Sequence, residues 1–135
     1  MKAIARIITV AALLLAAAPA VVAQNNGNDV FIPIAKYITQ GNVDALSAWF
    51  DDNLEISVIS KSTYSSRSQA RRIVQRFFDT YTPRSFNLNH SAGRINMKYA
   101  LGSLNAGGEN FIVTIFVCRK NGTYHIQQFQ IERMR

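Results

Sequence analysis

The sequence has a single cysteine, few acids and no apolar run long enough to cross a bilayer. A single thiol, Cys118, cannot close an intramolecular disulfide, so the fold must be held by packing. Cys118 sits in an apolar run and reads as a small core residue, since a reactive thiol needs a basic partner and exposure. The two histidines, His90 and His125, lie far from each other, and neither has a cysteine or acid nearby with metal-ligand spacing. No metal site is expected. After position 23 the acids are Asp29, Asp44, Asp51, Asp52, Glu55, Asp79, Glu109 and Glu132. Most read as loop, cap or helix-end residues, and only Glu55 and Glu132 fall inside predicted strands. Without a pair on one inward face there is no acid/base dyad, and no catalytic residue is assigned. A glycine-rich phosphate loop, a nucleophile elbow and a Ser-His-Asp order are missing as well, so no cofactor is expected.

The longest apolar run, Ile7 to Ala18, spans about 12 residues. A helix needs about 20 to cross a bilayer. With Lys2 and Arg6 before it and Pro19 and Val21-Val22-Ala23 after it, residues 1–23 read as a secretory signal peptide cut after Ala23. The expected destination is the periplasm or the external medium, with no transmembrane segment in the mature chain. Removing residues 1–23 lowers the apolar share from 48% to roughly 41% of the remaining 112 residues. It also lowers the formal charge from +7 to +5, with 13 basic and 8 acidic residues left. That length and composition fit one soluble domain, and the 14 aromatic residues, all after position 23, exclude a disordered chain.

What remains is patterned. Residues 24–30 form a polar lead-in. Phe31, Ile34, Ala35 and Ile38 predict a first helix stopped at Gly41-Asn42, and Asp44 to Phe50 predict a short second one ended by Asp51-Asp52-Asn53. Leu54 to Ser60 alternates as a strand and is followed by a serine-rich loop. Ser66 and Gln69 have the spacing of a capping box, opening a helix with Ala70, Ile73, Val74, Phe77, Phe78 and Tyr81 on one face. After Pro83 the chain reads as four strands. Ala92-Gly93, Asn105 to Asn110 and Asn121-Gly122 supply the turns, the last a type I′ signal. Phe86, Leu88 and His90 share one phase, as do His125, Gln127, Phe129 and Ile131. Phe111 to Cys118 is apolar in nearly every position, which predicts a central strand covered on both faces. The expected class is α+β in the order ααβαββββ, a curved antiparallel sheet wrapped around three helices.

This order resembles the nuclear transport factor 2-like superfamily, whose cone is a curved sheet around three helices. The carriers are Trp49-Phe50 at the end of the helical hairpin, the strand Leu54–Ser60, the Phe77-Phe78 pair and the closing hairpin around Asn121-Gly122. With its signal peptide the chain is also similar to small exported domains of unknown function from Bacteroidota. The resemblance covers residues 31–135 as a single domain. It implies a pocket at the open end of the cone and dimerisation through the sheet, and it implies no single chemistry.

The pocket candidates are Trp49, His90, Met97, Tyr99, Tyr124 and His125. Arg67, Arg71, Arg72 and Arg76 line the polar side of the long helix as an anion-binding patch. That row has no interleaved aromatics, so nucleic acid is not an expected partner. The sequence predicts an exported, noncatalytic domain that binds a small hydrophobic or anionic ligand, or a protein, and forms a homodimer through its sheet. An isomerase or dehydratase using His90 or His125 with Tyr99 or Tyr124 is the alternative. An adhesion module acting through the arginine row is a third reading.

Overall fold

The computed structural model describes residues 30–134. The expected signal peptide and all but the last residue of the lead-in lie outside them. Among the described residues no helix is long and apolar enough to cross a membrane.

Two helices come first, α1 (Phe31–Gln40) and α2 (Val43–Ser47). Phe31, Ile34 and Ile38 form the buried stripe of α1, which ends at Gly41 in the left-handed conformation glycine adopts without a Cβ clash. The Asn42 side chain then accepts from the Ala45 amide at 3.1 Å and starts α2. This second helix is shorter than expected. Phe50 already belongs to strand β1 (Phe50–Val58), and Asp51-Asp52-Asn53 lie within that strand instead of ending a helix.

The serine-rich segment expected as a loop is a strand, β2 (Lys61–Ser66), paired antiparallel with β1. Only Ser65 of β2 is buried, so the segment carries no apolar alternation to announce it. The turn is equally unannounced, because Ile59 and Ser60 adopt positive φ values of 44° and 70° where Asn-Gly is the usual choice. Two long-range bonds hold it: Ile59 N–H donates to the Ile131 carbonyl at 2.8 Å, and Ser60 N–H donates to the Glu132 carboxylate at 3.1 Å. The order is therefore ααββαββββ, one strand more than expected.

Helix α3 (Arg67–Thr80) begins as predicted, with the Ser66 hydroxyl accepting from the Gln69 amide at 3.2 Å. Its stripe of Ala70, Val74, Phe77 and Phe78 is buried. Strands β3 (Pro83–Arg94), β4 (Met97–Ala106), β5 (Glu109–Lys120) and β6 (Thr123–Arg133) follow as a meander. Asn121-Gly122 makes the last turn with both φ values positive, as expected. Ala92-Gly93 does not turn; β3 continues to Arg94, and Ile95-Asn96 makes the reversal.

The six strands run in the order β2-β1-β6-β5-β4-β3. The pairing is antiparallel except between β1 and β6, which are parallel and join the N-terminal half to the last strand. The result is an α+β fold with a curved, unclosed sheet and three helices against its inner face. Phe31, Leu46, Phe50, Leu54, Phe111 and Phe129 fill the space between the layers and are fully buried. Burying such a side chain contributes roughly 1.5–3 kcal/mol. Gly102 allows a close approach there: a Cβ at this position would lie 2.3 Å from the Phe86 ring.

Strand β5 departs from expectation. Phe111, Val113, Ile115 and Val117 are buried inward, whereas Ile112, Thr114, Phe116 and Cys118 face away from the helices and stay half-buried or exposed. Cys118 is accordingly an outer-face residue and not part of the core.

Candidate functional site

β-bulges decide where the histidines go. Directly opposed residues of a ladder point to the same face, and one extra residue on one strand inverts every later position. In β3 the pairing steps from Leu88–Gly102 to His90–Leu101, so the bulge at Asn89 carries His90 to the outer face. In β6 it steps from Ile126–Val117 to Gln128–Phe116, so His125 opposes the outer Cys118 while Phe129 and Ile131 point inward. The expectation that His90 shares a face with Phe86 and Leu88, and His125 with Phe129 and Ile131, is corrected by these two bulges.

The six pocket candidates are therefore scattered. Trp49 sits at the corner between α2 and β1, half-buried against the core. Tyr124 donates from its hydroxyl to the Ile95 carbonyl at 2.6 Å, with Lys98 and Arg119 about 6 Å over its ring. His90, Met97 and Tyr99 occupy the outer face, and His90 Nε2 lies 3.2 Å from the Tyr99 hydroxyl. Tyr99 in turn stacks on Phe116 with centroids 5.6 Å apart. Met97 and Tyr99, with Gly93, Arg94 and Asn96, border an open apolar hollow of about 450 Å³. Among the described residues His90 and Tyr99 are the one histidine–tyrosine pair within hydrogen-bond distance, and His90 is exposed to water.

The arginine row divides as well. Arg67 donates to the Phe50 carbonyl and to Asp52, both at 3.1 Å, and Arg71 pairs with Asp44. Arg72 and Arg76 have no acidic partner among the described residues and remain exposed.

A polar cleft that the sequence did not announce lies on the outer face where β1 meets β6. Between its pairings with β6, β1 advances from Phe50 to Glu55 while β6 advances only from Ile126 to Gln128. The surplus residues Asp51, Asp52 and Asn53 bow out of the ladder opposite the bulged Gln127. With Tyr64 and Lys120 they enclose about 260 Å³.

Asp51 anchors this cleft and is only 6% exposed. Its Oδ1 accepts from the Asp52 amide at 2.8 Å and from Lys120 Nζ at 3.0 Å; its Oδ2 accepts from Lys120 at 2.9 Å and Gln127 Nε2 at 2.7 Å. Burial pushes the Asp51 carboxyl up, but the bonds from Lys120, the Asp52 amide and Gln127 outweigh it and hold the group below its ordinary value of 3.8. The bond to Asp51 raises Lys120 above its own. From the sequence Asp51 reads as a helix-ending acid, because three polar residues after Trp49-Phe50 carry no signal of a strand.

Residues 31–132 match the family model described as a domain of unknown function, DUF4783. The chain belongs to this family. A DUF4783 protein from Bacteroides uniformis is 25% identical to it, with a TM-score of 0.74 over 76% of this chain and 95% of that one. Two more distant structures share the fold. One is a Nostoc punctiforme domain of unknown function with a cystatin-like fold, 11% identical, TM-score 0.62, covering 76% of this chain and 72% of its own. The other is a nuclear transport factor 2-like protein of unknown function from Cytophaga hutchinsonii, 8% identical, TM-score 0.59, covering 79% and 88%. The expected fold is thus the observed one. No curated protein matches the chain.

Proposed function

We propose that this DUF4783 domain is exported to the periplasm or external medium and acts there as a noncatalytic binding module that pairs with a second copy through the outer face of its sheet. The observation that carries the reading is the strip on β4 and β5: Tyr99, Leu101, Ile112, Phe116 and Cys118, uncovered by any helix among the described residues. No charged side chain interrupts this strip, although the chain as a whole is +7. Two copies can therefore face one another without repulsion, as a twofold interface requires. The filled interior, packed with large side chains, speaks for binding at the surface and against chemistry inside the cone.

Analytical ultracentrifugation tests the pairing. The expected result is a dimer that Phe116→Asp converts to a folded monomer, its native circular dichroism retained and its melting temperature no longer dependent on protein concentration. A wild-type protein that sediments as a monomer at several hundred micromolar overturns it. The isomerase or dehydratase alternative draws on the His90–Tyr99 pair. Under it, His90→Ala and Tyr99→Phe must each abolish a turnover that the wild type performs.

A further inference from the structure

We infer that the cleft between β1, β2 and β6 binds a neutral saccharide ring. The groups it offers are balanced. Asp51 is consumed by its four bonds and acts as scaffold. Asp52 has one carboxylate oxygen taken by Arg67 and the rest of its exposed group free. The Asn53 amide makes no bond among the described residues, and Gln127 and Lys120 have a carbonyl and ammonium protons to spare. Donors and acceptors are thus present in similar number around one hollow.

Charge and shape narrow the class. Lys120 offsets Asp51 and Arg67 offsets Asp52, so the cleft attracts neither an anion nor a cation strongly. An apolar ligand would strand the polar groups at a desolvation cost. At its rim stands Tyr64, 76% exposed, one of the largest apolar surfaces the fold leaves in water. A flat ring beside a set of mixed donors and acceptors suits a molecule with one C–H face and a hydroxylated edge, which describes a pyranose. A hollow of about 260 Å³ is below the drug-sized range and suits one or two sugar rings.

This deepens the noncatalytic binding reading and rests on it only in requiring no reaction. Self-association does not enter, so a dimer without sugar binding defeats this inference alone. The test is a ¹H–¹⁵N NMR titration of the purified protein with maltose, cellobiose and N,N′-diacetylchitobiose, each to about 10 mM, well above a weak Kd of about 1 mM. The expected result is saturable shifts at residues 51–53, 64, 120 and 127 with at least one of them. Tyr64→Ala should weaken that binding about tenfold or more, as loss of a stacked ring does; Tyr64→Phe, which keeps the ring, should retain it. Tyr64 is exposed, so neither variant threatens folding. Absence of saturable shifts with all three sugars overturns the inference, as do shifts that survive Tyr64→Ala or map elsewhere.

Discussion

The outer face of the sheet has two unlike halves. On β4 and β5 the ladder is regular and the side chains are uncharged and mostly apolar: Tyr99 lies on Phe116, with Leu101 and Ile112 beside them and Thr114 and Ser103 the polar exceptions. Where β1 meets β6 the register breaks, and the side chains are Asp51, Asp52, Asn53, Gln127 and Lys120. A regular ladder presents a flat surface suited to another flat surface. A broken one opens a concavity whose polar groups satisfy each other and leave valences over. Backbone regularity, more than composition, separates a face that can pair from a face that can hold a small molecule.

The largest effect is expected at Gly102, which lets Phe86 pack closely beneath the regular half. Gly102→Val should cost about 2–3 kcal/mol by overpacking, read from urea unfolding. Next is Asp51→Ala, which leaves the Gln127 amide and the Asp52 N–H without their acceptor and should cost about 1–3 kcal/mol in the same assay. If the polar half were only solvated decoration, the loss would be near zero. Phe116→Ala on the regular half should cost less in the monomer, within about 1 kcal/mol, because that side chain is already half in water.

The polar half should also respond to acid. Asp51 is held below 3.8 in the folded protein, so unfolding takes up a proton at acid pH. Its contribution is fully present above 3.8 and is lost as pH falls further, so the wild-type melting temperature should fall more steeply there than that of Asp51→Asn. The smallest effect expected is at the β1–β2 turn. Ser60→Gly relieves a positive-φ serine by more than the extra backbone freedom glycine gives the unfolded chain, and should raise stability by about 0.5 kcal/mol in thermal melts.

Much of the fold was legible because its signals are local. The apolar stripes of α1 and α3, the Ser66 cap and the Asn121-Gly122 turn each depend on a few adjacent residues. Strand β2 was not legible: one buried serine and a turn of Ile59-Ser60 resemble a loop until β1 supplies a ladder and Glu132 a bond from the far end of the chain. The site was less legible still. His90 and His125 were assigned faces by counting alternate residues, and a single bulge before or after each falsified the count.

The amino-acid sequence alone determined the helices α1 and α3, the core of β1 and the four strands after Pro83, and that a helical layer must pack on a sheet, since apolar periodicity and caps act over a turn or two of chain. Tertiary structure alone decided what the outer face presents. The bulges at Asn89 and Gln127 and the register break at Asp51 exist only where strands distant in sequence are forced to share one ladder. They placed both histidines outside the cone and drew Asp51, Gln127 and Lys120 together from opposite ends of the domain.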